Sequence, residues 1–156
     1  TRIDWALPGW PRLAVGAESN CDLALITATG RGLRIPVELI RRTGTRVFHK
    51  QKSDEIIGAQ AVTATDWLWL LASEGWAKWL CTGEIPQADA GGQGSVVVRR
   101  RGQLCGLVGE ECEWVRLLTT ARLLVVDPHN TPREDSLSMH RTVRMSKGEQ
   151  VLSLVQ

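Results

Sequence analysis

Apolar residues along this chain fall into short blocks divided by turns, not into the three-to-four spacing of an amphipathic helix. The pattern is clearest over residues 66–108. There DWLWLLASEGWAKWL splits into blocks 67–72 and 76–80 on either side of Ser73-Glu74-Gly75. A glycine in such a turn supplies the positive φ that lets two strands fold back on each other. Residues 96–98 and 103–108 make a second strand-like pair around Arg100-Arg101-Gly102. The stretch therefore predicts four short strands, arranged as two hairpins in series.

The same unit recurs. Residues 22–30 (DLALITATG) align with 66–75, and 113–120 (EWVRLLTT) with the start of both, at steps of 44 and 47 residues. A second marker keeps the same phase: Ala14-Val15-Gly16-Ala17, Ile56-Ile57-Gly58-Ala59, Leu104-Cys105-Gly106-Leu107 and Val151-Leu152-Ser153-Leu154 follow at steps of 42, 48 and 47. A fixed period of this size means a propeller or a solenoid. The expected fold is all-β and propeller-like, with about three four-stranded blades of 42 to 48 residues. The repeats span 22–62, 66–108 and 113–156 within a repeat domain of residues 13–156. Residues 1–12, with two prolines and a glycine, read as a lead-in.

Composition narrows this picture. With 43% apolar residues in 156, the chain buries a core, and it contains no apolar run long enough to span a membrane. No basic-then-apolar leader is visible, so a soluble cytoplasmic protein without membrane contact is expected. Cys21, Cys81, Cys105 and Cys112 lack metal-ligand spacing and read as buried free thiols. His49, His129 and His140 lack HxxxH spacing, and no nucleophile arrangement stands out. No metal, cofactor or catalytic residue is assigned.

Charge is informative in its placement more than in its net value of +2. Between residues 31 and 52 five arginines and two lysines face one acid, Glu38. The second turn of every repeat carries base: Lys50 and Lys52, then Arg99, Arg100 and Arg101, then Arg144 and Lys147. Trp67, Trp69, Trp76 and Trp79 lie in strands and read as packing residues.

Taken together, these residues resemble the C-terminal domain of the A subunit of bacterial DNA gyrase and its topoisomerase IV counterpart. The resemblance covers residues 13–156. It rests on Gly30-Arg31-Gly32-Leu33-Arg34-Ile35-Pro36 with Val37-Glu38-Leu39-Ile40-Arg41-Arg42, and on Gly75-Trp76-Ala77-Lys78, Gly83-Glu84-Ile85-Pro86-Gln87 and the glycine loop Ala90-Gly91-Gly92-Gln93-Gly94. It implies a β-pinwheel, shortened to about three repeats, whose rim binds and bends or wraps duplex DNA without sequence preference. It also implies a non-catalytic accessory role beside the catalytic core of a type II topoisomerase. The chain contains no Tyr, so the family's catalytic tyrosine is not here. The gyrase-specific box Q-R-R-G-G-K-G is not intact: Gln93 stands where the family has Lys, and Arg41-Arg42-Thr43-Gly44 keeps only the first half.

The expected DNA-binding set is Arg31, Arg34, Arg41, Arg42, Arg46, Lys50, Lys52, Lys78, Gly91, Gly92, Gln93, Gly94, Arg99, Arg100, Arg101, Arg144 and Lys147. Basic turns repeated once per blade would neutralise successive phosphates and release counterions, and glycine loops bring backbone N–H groups close to phosphate. Arg34 and Lys78 are expected at matching positions. A homodimer of partial rings is a further expected partner. The alternative function is a pinwheel that serves as a protein-interaction or regulatory module without wrapping DNA.

Overall fold

The apolar block pairs of the first two repeats fold as hairpins. In the computed structural model, which describes residues 13–49, 51–89 and 91–155, β1 (Asp22–Thr27) pairs with β2 (Arg31–Pro36) and β4 (Trp67–Ala72) with β5 (Trp76–Cys81). The lead-in 1–12, Lys50 and Ala90 lie outside the described residues. In the third repeat β8 (Val115–Thr119) pairs with β9 (Leu123–Val126) through a turn that lacks the glycine, with Leu118 opposite Leu123, a register one residue tighter than in the first two.

The glycine-marked copies become the inner strands β3 (Ile56–Val62), β7 (Leu104–Gly109) and β11 (Val151–Val155), paired with β1, β4 and β8. Their glycines are there because the inner strands of neighbouring blades press together. A Cβ on Gly58 would lie 2.6 Å from the Leu107 side chain, and one on Gly106 would lie 2.3 Å from Leu154. The first copy, 14–17, forms no strand.

One expectation is corrected by the strand order. The segments before the second turns do not form hairpins with the inner strands that follow. Instead β6 (Ser95–Val96), from the second repeat, pairs with β2 of the first, and β10 (His140–Arg141), from the third, pairs with β5 of the second. The sheets are β3-β1-β2-β6, β7-β4-β5-β10 and β11-β8-β9. Two blades thus have four strands, the fourth lent by the next repeat, and the third has three among the described residues. The reason is visible at Val97 and Val98, which are adjacent and both buried. Neighbouring residues of an extended segment point opposite ways, so burying both requires apolar surface on both sides. The junction between two blades supplies it.

Gly30 and Gly75 record the same exchange. Both have left-handed φ (+83° and +84°), and the borrowed strand runs over each turn, with Val98 O 3.0 Å from a Cβ built on Gly30 and Val143 O 2.4 Å from one on Gly75.

The core is accordingly divided between the blades. Ala24 and Ile26 of blade 1 meet Leu68, Leu70 and Leu80 of blade 2, together with Val97 and Val98. Trp69, Leu71, Ala77 and Trp79, on the other face of blade 2, meet Val115, Leu117 and Val151 of blade 3. The tryptophans are packing residues as expected, with Trp69 and Trp79 fully buried. Their indole N–H groups donate to Thr131 Oγ1 (2.8 Å) and Pro128 O (3.0 Å), in the loop of the next repeat. Arg133 stacks its guanidinium on Trp67 and Trp79, at 5.2 and 4.7 Å, and holds that loop down. The four cysteines are free and half-buried, not buried outright, and burial pushes the Cys105 thiol up to about 12. No helix among the described residues is long and apolar enough to cross a membrane.

Candidate nucleic-acid interface

The second turns sit beside the first turns because backbone hydrogen bonds tie them together in a belt. Ala28 N donates to Glu55 O (2.8 Å) and Leu104 N to Ala28 O (3.0 Å). Ser73 N then donates to Gln103 O (2.8 Å), Val151 N to Ser73 O (2.8 Å) and Thr120 N to Gln150 O (2.9 Å). The belt runs from blade to blade along one end of the sheets. It carries Lys52 in the first second-turn, Arg99, Arg100 and Arg101 in the next, and Arg144 and Lys147 in the third, all exposed.

Side chains anchor this row as well. Asp54 is buried under the first turn, where it accepts from Thr29 N (3.1 Å), Thr29 Oγ1 (2.5 Å) and Glu55 N (3.0 Å). Burial pushes its pKa up, but these hydrogen bonds outweigh that and hold it below the usual carboxylate value. Glu149 has the same place in the third repeat. It accepts from Arg122 Nε (3.0 Å), Ser146 N (2.8 Å) and Thr119 Oγ1 (2.7 Å), which hold its carboxyl down to about 2, Arg122 contributing most. In the second repeat the guanidinium of Arg101 lies 4.7 Å over the Trp76 ring, and Arg100 Nη1 donates to Gly102 O (3.0 Å).

The glycine loop completes one local cluster. Gly91 and Gly94 have positive φ, and Arg31 Nη1 donates to Gly94 O (3.1 Å). Arg31, His49, Gln51, Lys52 and Gln93 line an open cleft of about 430 Å³ with no acid among them. His49 and Gln51 were not in the expected set. His49 is the structural counterpart of Arg99, since His49 N donates to Gly92 O (2.8 Å) as Arg99 N does to Leu137 O (2.7 Å), but the 48-residue step of the sequence sets it against Val97 and hid the match.

Other expected residues lie elsewhere. Arg41 and Arg42 are exposed but follow the 3-10 turn Val37–Leu39, at the end of β2 away from the belt. With β2 six residues long, that is roughly 20 Å from the turn end. Arg41 shares a recess of about 500 Å³ with Arg46, Thr45 and Asp89.

Arg34 and Lys78 are corrected. Both are buried, at 9% and 2% exposure. Arg34 pairs with Asp22 (3.4 Å), and Lys78 Nζ donates to the backbone carbonyls of Ser136 and Glu134. They are also not equivalent. Arg34 lies opposite Ala24 and Lys78 opposite Leu70, and these two strand residues face each other across the junction of blades 1 and 2. Lys78 thus holds the segment lent by the third repeat against blade 2, whereas Arg34 meets its lent segment through the backbone, donating N–H to Pro86 O (3.0 Å) and accepting from Ala88 N (2.9 Å).

Among the described residues no group of three or more His, Cys, Asp or Glu is placed to hold a metal ion. His129 and Asp127 form the 3-10 turn Pro128–Asn130, where Asp127 Oδ1 accepts from His129 N (2.8 Å).

No family model matches the sequence, and no curated protein does. Solved structures do match. The C-terminal domain of DNA topoisomerase IV superposes with a TM-score of 0.76 at 16% identity, over 88% of this chain and 46% of that one. The DNA gyrase A C-terminal domain gives 0.72 at 12% identity, over 86% and 50%. The E. coli ParC C-terminal domain gives 0.65 at 13%, over 88% and 62%. The chain spans about half the length of the structures it matches. It has the β-pinwheel fold of the C-terminal domains of DNA gyrase A and topoisomerase IV.

Proposed function

We propose that this chain binds duplex DNA without sequence preference along the edge that carries the belt, as an accessory, non-catalytic unit of a cytoplasmic type II topoisomerase. The observation behind this reading is the repetition of exposed base on three successive turns, each tied to its neighbour by backbone hydrogen bonds. Duplex DNA presents charge at a fixed spacing, and a row repeated once per blade meets it along a curve. The cleft of Arg31, His49, Lys52 and Gln93 adds a recess in which a phosphate group finds donors and no acid. The shared fold with topoisomerase C-terminal domains supports the assignment of partner, duplex DNA beside a catalytic core on another chain or another part of the same one.

The bond-breaking chemistry belongs to that core. Here the work is positional. Phosphate contacts fix where a duplex lies without reading its bases. Bending a short site costs about 1 to 6 kcal/mol, which several contacts on one rigid edge repay.

A mobility shift with duplexes of increasing length, at two salt concentrations, tests the reading. Affinity should rise with length and fall steeply with salt. Replacing Arg99, Arg100 and Arg101 together by Ala removes about three phosphate contacts, so the slope of log affinity against log salt should flatten by about 2.7. Unchanged affinity and slope would refute the belt edge as the DNA site.

A further inference from the structure

Among the described residues the exchange of strands leaves one acceptor and one donor unused, at opposite ends of the arc. Blade 1 receives β6, with Ser95 opposite Gly32 and Val96 opposite Arg31, and blade 2 receives β10, with His140 opposite Ala77 and Arg141 opposite Trp76. Blade 3 receives nothing among the described residues, so the outer edge of β9 stands open. Beside that edge Leu118, Leu123 and Val125 face away from blade 2, at 43%, 61% and 61% exposure. The matching positions of blade 2 are Leu71, Ala77 and Trp79, which blade 3 buries completely.

The donor lies in the first repeat. Because His49 corresponds to Arg99, Val47 and Phe48 correspond to Val97 and Val98, and Thr45 and Arg46 to Ser95 and Val96. Phe48 is buried against Leu25, Leu33 and Ile35 on the outer side of blade 1, as Val98 is buried between blades 1 and 2. The segment is thus held in the donating pose, yet Thr45 and Arg46 belong to no strand. Next to it an open groove of about 780 Å³ is lined mainly by apolar groups, among them Leu13, Val15, Leu23, Val37 and Ile40.

We propose that two copies of this chain close head to tail. Residues 45–46 of one copy lie along β9 of the other, Thr45 opposite Leu123 and Arg46 opposite Arg122. The face of Leu118, Leu123 and Val125 fills the groove beside Leu13 and Val15. The occupant is a second copy because the required donor and groove are both present on this chain, and because the junction continues the blade-to-blade packing already formed twice within it. Two copies make two such junctions, each joining blade 3 of one copy to blade 1 of the other, so that six blades pack in series. The inference does not depend on DNA binding.

Sedimentation equilibrium of the 156-residue chain tests it. The expected result is a dimer that stays a dimer on concentration. Leu123→Asp with Val125→Asp should weaken it by about tenfold or more, and so should Leu13→Asp with Val15→Asp on the groove side. All four residues are exposed, so each variant should keep its circular dichroism spectrum. Mixing the two variants should recover dimer, because a mixed pair keeps one junction with both surfaces native, which a face-to-face dimer would not do. A monomer up to the solubility limit would overturn the proposal. So would a dimer indifferent to both variants, a mixture that does not recover, or open-ended growth into longer polymers.

Discussion

Replacing Gly75 by Ala tests the strand exchange at its tightest point. Two costs add there. At φ +84° an L side chain is in the left-handed region, which costs about 1 to 2 kcal/mol. In addition the new Cβ would stand 2.4 Å from Val143 O and 2.9 Å from Met145 Cγ, so the strand lent by the third repeat has to move. Overpacking of this kind costs about 1 to 3 kcal/mol. The shift also strains the hydrogen bonds from Thr142 N and Val143 N to Gly75 O (3.1 and 3.0 Å), which hold β10 against the turn. Gly148 separates the two costs: its φ is +77°, but nothing lies within 4 Å of its Cβ position. Urea unfolding should therefore show a loss of about 2 to 5 kcal/mol for Gly75→Ala against about 1 to 2 for Gly148→Ala. Equal losses would mean that no strand crosses the Gly75 turn, and the exchanged topology would be wrong.

Two further substitutions probe the belt and the blade edge. Lys78→Ala removes the ammonium that serves the Glu134 and Ser136 carbonyls and should cost about 1 to 3 kcal/mol in urea unfolding with DNA affinity unchanged; weaker DNA binding at full stability would place Lys78 on the binding edge instead. Glu149 titrates at about 2 in the fold against an ordinary 4.5, so its contribution is complete above pH 4.5 and disappears as pH falls from there to about 2. In Glu149→Gln the thermal midpoint should be lower above pH 4.5 and should converge on the parent's in acid; a constant offset at all pH values would show that the carboxylate charge is not involved.

The hairpins were legible because two signals coincide at each of the first two: short blocks rich in apolar residues, and a glycine at the turn. The inner strands were legible from their glycine spacing, since Gly58 and Gly106 are demanded by the approach of Leu107 and Leu154. The partner of each outer strand was not legible. β6 and β10 are two residues long, too short for alternation to mark a partner. The buried doublet Val97-Val98 was the available sign that its segment is covered on both sides. The pairing of Arg34 with Lys78 failed for a related reason. A 44-residue step matches Asp22 with Asp66, but the strands keep a step of 45 throughout: β1 starts at Asp22 and β4 at Trp67, and Leu71 lies opposite Ala77 where the first repeat has Ile26 opposite Gly32. A slip of one residue moves a side chain to the other face of a strand. The arginines and lysines of the second turns escape that error because turns project from the sheet end whichever face their flanking residues take.

That interleaving also bears on what the basic edge can do. A loop that joins two strands of one blade would move with that blade alone. Here the second turns of the second and third repeats begin on the edge of one blade and end in the inner strand of the next, with a backbone hydrogen bond to a first turn on the way. The separation of Arg100 and Lys147 is therefore set by the packing of Leu68, Leu70, Trp69 and Trp79 between blades, not by loop length. Fixing the cations in advance lowers the ordering cost of each phosphate contact. It also makes the curvature of the edge a property of the core: a substitution that tilts blade 2 against blade 3 alters the path offered to DNA without touching a basic residue.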